Sequence, residues 1–257
     1  MVMRTHDGSV GDVDYGTIGA GYAAWRRPDE RIAHVIARAL GDARTVLNVG
    51  AGTGSYETAA HTITAVEPSL AMRAQRPAEL ATAVEAVAED LPFPDGHFDA
   101  SMTLQRPPVV RCHRWTTRDA TRHHGPVVVL TCDPARVRDF WLYEYAPDVL
   151  DTEARRYPPL GQLTAALGGT TTIQPVPIPL DCTDGFNEAY YGRPELLLNP
   201  AARQACSAWS FIDDQARQAF DTSLRRALGS GTWDEAFGHL RNRPTYNGSL
   251  VLLRATS

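Results

Sequence analysis

Hydrophobic positions along the chain follow two alternating patterns. Short runs rich in β-branched residues predict strands, and these runs recur at 45–49, 63–67, 81–86, 98–104, 127–131, 171–178 and 249–254. Apolar residues spaced three and four positions apart predict helices between most of the runs, at 28–40, 70–75, 135–145 and from Asp213 to a stop at Gly229. This alternation predicts an α/β fold with a Rossmann-like, mostly parallel sheet that carries helices on both faces.

The composition narrows the class of protein without defining an activity. A hydrophobic content of 43% in 257 residues is ordinary for a globular chain, and a net charge of −5 with a pI near 5.9 argues against a broad nucleic-acid surface. Apolar stretches are too short to cross a bilayer, and no signal peptide is visible. Four cysteines, at 112, 132, 182 and 206, lie far apart, which suits a reducing cytoplasm and offers no zinc site. We expect a cytoplasmic protein with no metal, no nucleic-acid partner and no membrane partner, and the oligomeric state stays open.

The most specific pattern is a glycine-rich turn after the first strand, followed by an acid. Residues 46–57 read VLNVGAGTGSYE, and Gly50, Gly52 and Gly54 let the backbone approach a ligand and adopt torsions that a side chain would forbid. The turn is predicted to open a helix whose first N–H groups face a polar ligand. Glu67 ends the next strand, at the edge where ligands bind in open parallel sheets, and is placed to accept both hydroxyls of a ribose.

These residues resemble the class I S-adenosylmethionine-dependent methyltransferases, in particular the type 11-like small-molecule group. The resemblance is carried by VLNVGAGTG at 46–54, TAVEPSLAM at 64–72 and AEDLPFPDGHFDA at 88–100, and it extends from about residue 15 to residue 133. It implies S-adenosyl-L-methionine as the cofactor and methyl transfer to a small organic molecule. The cofactor-binding residues that it implies are Gly50, Ala51, Gly52, Gly54, Glu67, Met72, Ala88, Glu89 and Tyr15.

Within that set, the resemblance assigns a different part of the cofactor to each group. The glycine turn holds the methionine part, Glu67 binds the ribose, Met72 flanks the adenine, and residues 88–89 lie at the adenine edge. Two positions depart from the family pattern. Asn48 stands where the first motif often has an acid, and Val87 replaces a frequent adenine-contacting acid.

The domain organisation is predicted as a single methyltransferase domain over residues 1–257. An N-terminal lid and helix occupy 1–40, the cofactor-binding core 41–180, and the final strand 246–257. Residues 181–245 show no clear strand and are predicted as a helical cap inserted before that final strand. A plain extension of the outer layer of the sheet is an equal alternative for this stretch.

Two other functions stay open. One is an NAD(P)-dependent oxidoreductase, whose GxGxxG fingerprint would require a glycine where this chain has Ser55. The other is a cofactor-binding homologue with weak or no catalytic activity, because a fold does not fix a function.

Residues 105–124, QRPPVVRCHRWTTRDATRHH, interrupt the pattern. They contain five arginines and three histidines and show neither helical nor strand periodicity. In a shifted reading frame, residues 105–115 can be encoded as SVHQWSDVIAG and the run to residue 123 as LREMRRVT, which resembles the family's usual sequence beside the methyl group. We interpret the segment as a compensated frameshift, in preference to a metal site or a phosphate-binding patch, and assign no catalysis to it.

Candidates for contact with the methyl acceptor lie outside that segment. They are Tyr15 and Tyr22 in the lid and Asp181, Glu188, Tyr190 and Tyr191 in the cap. The cap residues follow a strand end, and the rings of the two tyrosines among them could stack on a flat acceptor. Ordinary packing is the alternative for each residue. The catalytic residues stay unknown, because methyl transfer depends mainly on positioning and needs a base only when the acceptor loses a proton.

Overall fold

A computed structural model of the protein describes residues 24–104 and 125–256, so Tyr15, Tyr22 and the segment 105–124 lie outside the described residues. The strands are β1 (Thr45–Val49), β2 (Thr62–Val66), β3 (Ala100–Leu104), β4 (Val127–Cys132), β5 (Thr170–Pro175), β6 (Ile178–Pro179), β7 (Thr245–Tyr246) and β8 (Leu250–Thr256). The α-helices are α1 (Glu30–Leu40), α2 (Leu70–Arg73), α3 (Pro147–Arg155), α4 (Leu160–Leu167), α5 (Pro200–Gln204), α6 (Asp214–Ser230) and α7 (Thr232–Phe237). Short 3₁₀ helices span Val137–Asp139, Trp141–Glu144, Asn187–Tyr190, Pro194–Leu198, Ser207–Phe211 and Gly238–Asn242.

The described residues form two compact units, which we call the sheet unit and the helical unit. The sheet unit comprises 30–104, 125–133, 157–176 and 250–256. The helical unit comprises 24–29, 134–156 and 177–249. The predicted cap therefore falls inside the helical unit, which also includes 134–156, a stretch that the sequence assigned to the core. The organisation of the chain as a single domain stays a prediction.

The sheet unit contains a six-stranded sheet in the order β2-β1-β3-β4-β8-β5. The first four strands of that order pair in parallel, whereas β8 is antiparallel to both of its neighbours, β4 and β5. Five of these six strands thus run in one direction, and the predicted mostly parallel, Rossmann-like sheet is confirmed. β4 is buried along its whole length, as expected for a central strand covered on both faces.

Helices pack on both faces of this sheet. Leu253 of β8 belongs to an apolar cluster with Leu163 of α4, which places α4 on one face. Successive side chains of a strand point to opposite faces, so Arg254 points away from α4. Its Nε donates to the carbonyl of Ala39 in α1 (2.8 Å). The prediction of helices on both faces therefore holds for α1 and α4.

The longest helix of the helical unit, α6, begins as the sequence predicts but ends later. The side chain of Asp213 accepts the N–H of Ala216 (2.7 Å), which caps the first turn. The predicted stop at Gly229 is wrong, because the helix continues through that residue. Gly231 ends it instead, with a left-handed backbone at φ +83°. Both glycines suit a C-terminus by residue type, and only the backbone torsion distinguishes them.

Two further predicted elements differ from the structure. The helix predicted at 135–145 is wrong, because extended Phe140 (ψ 137°) is buried between two short 3₁₀ helices and separates them. The strand predicted at 81–86 is reduced to one bridge, in which Val84 pairs in parallel with Val66 of β2. The N–H of Val84 donates to the carbonyl of Ala65 (2.8 Å), so this stretch runs beside β2 without extending the ladder.

Candidate functional site

The glycine loop, residues 50–56, follows β1 at the carboxyl edge of the sheet. The N–H groups of Gly50 and Ala51 both donate to the carbonyl of Val66, the last residue of β2, at 2.9 Å each. β1 and β2 are adjacent parallel strands, so their carboxyl ends lie side by side. The loop is therefore attached to the end of β2, where Glu67 follows.

The glycine loop does not open a helix, and that part of the sequence prediction is wrong. Every second residue of the loop has a positive φ, namely Gly50 (+70°), Gly52 (+54°), Gly54 (+92°) and Tyr56 (+66°). A right-handed helix needs consecutive residues with negative φ, so this alternation keeps residues 50–61 in turns until β2 begins. Backbone donors for a ligand at this loop are therefore those of the loop itself rather than of a helix N-terminus.

Glu67 lies directly after β2 and is only 7% exposed. Its Oε2 accepts the N–H of Gly52 (2.8 Å), and its Oε1 accepts the N–H of Ser69 (2.8 Å). The structure thus brings the predicted acid into direct contact with the glycine loop. An ionised carboxylate has about four acceptor positions, so about two remain for further donors.

Met72 lies against the same loop. It belongs to the short helix α2, which Ser69 caps by accepting the Met72 N–H on its Oγ (3.4 Å). A Cβ built on Gly52 would stand 3.3 Å from the Cε of Met72. Met72 therefore presents an apolar, buried side chain beside Gly52, the residue whose N–H Glu67 accepts.

Ala88 and Glu89 occupy the middle of a tight turn over residues 87–90, and both are half-buried. The stretch before the turn is held beside β2, because the N–H of Glu67 donates to the carbonyl of Val84 (3.0 Å). The two predicted adenine-edge residues thus come a few residues beyond a backbone contact with Glu67. Tyr15, the remaining predicted cofactor contact, lies outside the described residues.

A buried ion pair beside the glycine loop was missed by the sequence analysis. Nη2 of Arg76 donates a hydrogen bond to Oε2 of Glu57 (2.7 Å), and Nδ2 of Asn48 donates one to Oε1 of Glu57 (2.8 Å). The two charged side chains are 3% and 4% exposed, and within the described residues Oδ1 of Asn48 has no hydrogen-bond partner. The sequence offers one signal: Glu57 is the first charged residue after the uncharged stretch 46–56. A carboxylate that is buried there needs a cationic or hydrogen-bonding partner.

The predicted acceptor contacts in the helical unit divide by exposure. Glu188, Tyr190 and Tyr191 are 5%, 2% and 0% exposed, whereas Asp181 is exposed. The hydroxyl of Tyr191 donates to the carbonyl of Arg243 (2.6 Å), so it is already used inside the unit. The burial of all three residues and the contact of Tyr191 favour ordinary packing over contact with an acceptor, although the hydroxyl of Tyr190 has no hydrogen-bond partner within the described residues.

Comparison with known proteins bears directly on the glycine loop. A family model described as a methyltransferase domain matches residues 47–106, a stretch that contains the loop, Glu67, Met72 and residues 88–89. The match confirms the resemblance to class I S-adenosylmethionine-dependent methyltransferases, and a domain of this kind implies S-adenosylmethionine as the cofactor. No curated protein sequence matches the chain.

Solved structures share the fold over most of the chain. A putative methyltransferase from an antibiotic biosynthesis pathway of Anabaena variabilis ATCC 29413 is 24% identical, with a TM-score of 0.82 over 91% of this chain and 100% of that one. A geranyl diphosphate methyltransferase solved with its cofactor is 15% identical, with a TM-score of 0.51 and 99% of both chains covered. The [4+2]-cyclase SpnF is 14% identical, with a TM-score of 0.50 over 89% and 82% of the two chains. These similarities establish the Rossmann-like methyltransferase fold.

Two other features are absent from the described residues. Among the described residues, no helix combines the length and the apolar character needed to span a membrane. Within 24–104 and 125–256, no three histidine, cysteine or acidic side chains group so that they could hold a metal ion.

Proposed function

We propose that this protein transfers a methyl group from S-adenosylmethionine to a small organic acceptor. The observation that carries the proposal is the hydrogen bond from the Gly52 N–H to Oε2 of Glu67 (2.8 Å), which joins the glycine loop after β1 to the acid after β2. Ligands of open α/β sheets bind at this carboxyl edge. The methyltransferase-domain match covers both residues, which supports the same assignment.

The residues at this edge fit the cofactor. Two backbone N–H groups hold the carboxylate of Glu67, and its remaining acceptor positions suit the two hydroxyls of a ribose. Met72 and Ala88 offer apolar surface for the adenine, and Glu89 lies next to Ala88 in the chain. The residues proposed to hold the cofactor are Gly50, Ala51, Gly52, Gly54, Glu67, Met72, Ala88, Glu89 and Tyr15.

The described residues would contribute binding and orientation to the reaction. The bound cofactor supplies an electrophilic methyl group on a sulfonium, which an electron-rich atom of the acceptor can take. Glu67 and the glycine loop would hold the cofactor in one orientation, and alignment of the two reactants is the main contribution to such a transfer. The name of the geranyl diphosphate methyltransferase shows that this fold serves a small-molecule acceptor in another protein. We place the reaction in the cytoplasm, because the cysteines are widely spaced in the sequence.

A cofactor-binding protein with weak or no methyl transfer is the second candidate. The [4+2]-cyclase SpnF shares the fold and is named for a different reaction, so the fold by itself does not require methyl transfer. An NAD(P)-dependent oxidoreductase is less well supported, because Ser55 stands where its fingerprint has a glycine.

Calorimetric titration tests the proposal. We expect the wild type to bind S-adenosylmethionine and S-adenosylhomocysteine but not NADH. The variant Glu67→Ala should bind both sulfur ligands more weakly by about 1.5–3 kcal/mol, the typical contribution of hydrogen bonds to a charged group. Glu79→Ala, which removes an exposed carboxylate of the same unit, is the matched control and should bind normally.

Two results separate the alternatives. Unchanged cofactor affinity in Glu67→Ala, with the fold retained by thermal melting, would contradict the assignment of this acid. Normal binding of S-adenosylmethionine without methyl transfer to any member of a broad compound panel would favour the second candidate.

A further inference from the structure

We propose that Arg76 is a positioning residue of the cofactor site. In this proposal Arg76 contacts no cofactor atom; it fixes Gly52 and, through Gly52, the carboxylate of Glu67. The inference deepens the proposed function and rests on it. Its basis is a set of buried contacts that joins three parts of the sheet unit: the end of β1, the glycine loop and the stretch after α2.

Arg76 makes several contacts from one nearly buried side chain, which is 4% exposed. Its Nη1 donates to the carbonyl of Gly52 (3.3 Å), and its Nη2 donates to Oε2 of Glu57 (2.7 Å). Its Nε and Nη2 both donate to the carbonyl of Ala81 (3.2 and 3.0 Å). A planar guanidinium with five N–H donors can make these bonds together, whereas the ammonium of lysine is a single point charge.

Gly52 is held at both of its backbone polar groups. Arg76 binds its carbonyl oxygen, and Glu67 accepts its N–H. Glycine has the widest backbone freedom of any residue, and Gly52 adopts a left-handed φ of +54°. The bond from Arg76 therefore removes motion from the residue that orients Glu67, without Arg76 touching Glu67 itself.

The loop depends on these contacts because it is not continued by a helix. Residues 50–61 form turns, and Tyr56 adopts a left-handed φ of +66° that a residue with a side chain rarely takes. Glu57, which follows Tyr56, is held by Asn48 on one oxygen and by Arg76 on the other. Arg76 thus holds the loop within its length, at Gly52, and at Glu57, the residue that directly follows it.

The test compares variants that remove these contacts in different ways. Arg76→Met alone leaves Glu57 as a buried charge without its cation, and such a charge can prevent folding. The double variant Arg76→Met with Glu57→Gln removes both charges and still deletes the bond to Gly52. Arg76→Lys keeps the charge but cannot reproduce the set of bonds. Arg254→Met removes another partly buried arginine of the sheet unit, one that bonds the carbonyl of Ala39, and is the control.

The readout is the ratio of dissociation constants for 2′-deoxyadenosine and adenosine. The deoxy compound lacks one hydroxyl that Glu67 is proposed to accept, so it should bind the wild type about tenfold more weakly or worse. In the double variant we expect the ratio to fall to below about threefold, because the Gly52 N–H is no longer fixed and the bond from Ser69 alone holds only one oxygen of Glu67. Arg76→Lys should lie between these values, and Arg254→Met should keep the wild-type ratio.

The outcomes separate a positioning role from a purely structural one. Equal weakening of both nucleosides, with the ratio unchanged, would assign Arg76 to fold stability and overturn the proposal. Amide hydrogen exchange of a peptide over residues 50–57 gives a second readout that needs no ligand. Faster exchange in the Arg76 variants, and not in Arg254→Met, supports the proposal, and unchanged exchange overturns it. Failure of the wild type to bind any adenosine compound refutes the proposed function and is distinguishable from both results.

Discussion

Glu188 gives the helical unit a stability that depends on pH. Its carboxylate accepts the N–H of Ser249 on both oxygens (2.8 and 3.0 Å) and the Ser249 hydroxyl on Oε2 (2.9 Å). Loss of hydration on burial raises the pKa of Glu188 to about 7, which outweighs the lowering effect of the bonds from Ser249. Glu153 raises this pKa further, and Arg136 lowers it. The change that tests this is Glu188→Gln, which keeps the shape of the protonated side chain at every pH.

The direction and size of the effect follow from the two pKa values. The folded protein binds the Glu188 proton more tightly than the unfolded chain, where the pKa has its ordinary value of 4.5. The stabilisation is therefore fully present below pH 4.5 and is lost as the pH rises through about 7. One pKa unit corresponds to about 1.4 kcal/mol, so the loss is on the order of 3 kcal/mol at most.

Urea unfolding between pH 5 and pH 8 measures this loss. We expect the free energy of unfolding of the wild type to fall, relative to that of Glu188→Gln, by up to about 3 kcal/mol over this range. All groups other than residue 188 are common to both proteins, so their contributions cancel in the difference. Glu144→Gln, which changes an exposed carboxylate of the same unit, should follow the wild type at every pH. A Glu188→Gln variant whose stability follows the wild type at every pH would refute the reasoning.

Two further predictions concern the end of α6 and the segment 105–124. Gly229→Ala should raise the free energy of unfolding by about 0.5–1 kcal/mol. Gly229 is helical and exposed, and an added methyl group would meet no neighbouring side chain within 4 Å. Gly231→Ala, two residues later, should lower the free energy of unfolding by about 1 kcal/mol, because the backbone at Gly231 is left-handed. Melting temperatures that shift in the same direction in both variants would contradict the prediction. Replacing residues 105–123 by SVHQWSDVIAGLREMRRVT should raise both the melting temperature and methyl transfer, whereas equal stability and turnover would mean that the arginine-rich segment is native.

The strands that form the centre of the sheet could be predicted from the sequence, because each carries a dense run of apolar and β-branched residues. β1 and β4 occur where the pattern places them. The stretch 81–86 has the same local composition, yet only Val84 reaches β2. Strand pairing is decided by a partner elsewhere in the chain, so a local pattern could not reveal that this ladder stops after one bridge.

The candidate site shows the same division between local and distant information. The contact between the glycine loop and Glu67 could be predicted, because both follow the ends of strands that the pattern identifies. The absence of a helix after the loop could not, because it depends on the left-handed backbone of Tyr56, a residue type that rarely adopts it. The pairing of Glu57 with Arg76 joins positions nineteen residues apart, and no spacing rule connects them.

The position of β8 in the sheet has a consequence for how the chain folds while it is being synthesised. β8 lies between β4 and β5, so residues 250–256 complete the ladder on both sides of that position. On the ribosome, β5 is translated before its pairing partner exists, and residues 176–249 must follow before β8 emerges. During that interval the growing polypeptide would expose unpaired edges of β4 and β5, which are sites for association with other chains. Four of the six residues of β5 are polar, which leaves Ile173, 43% exposed, as the main apolar contact that such an association could use.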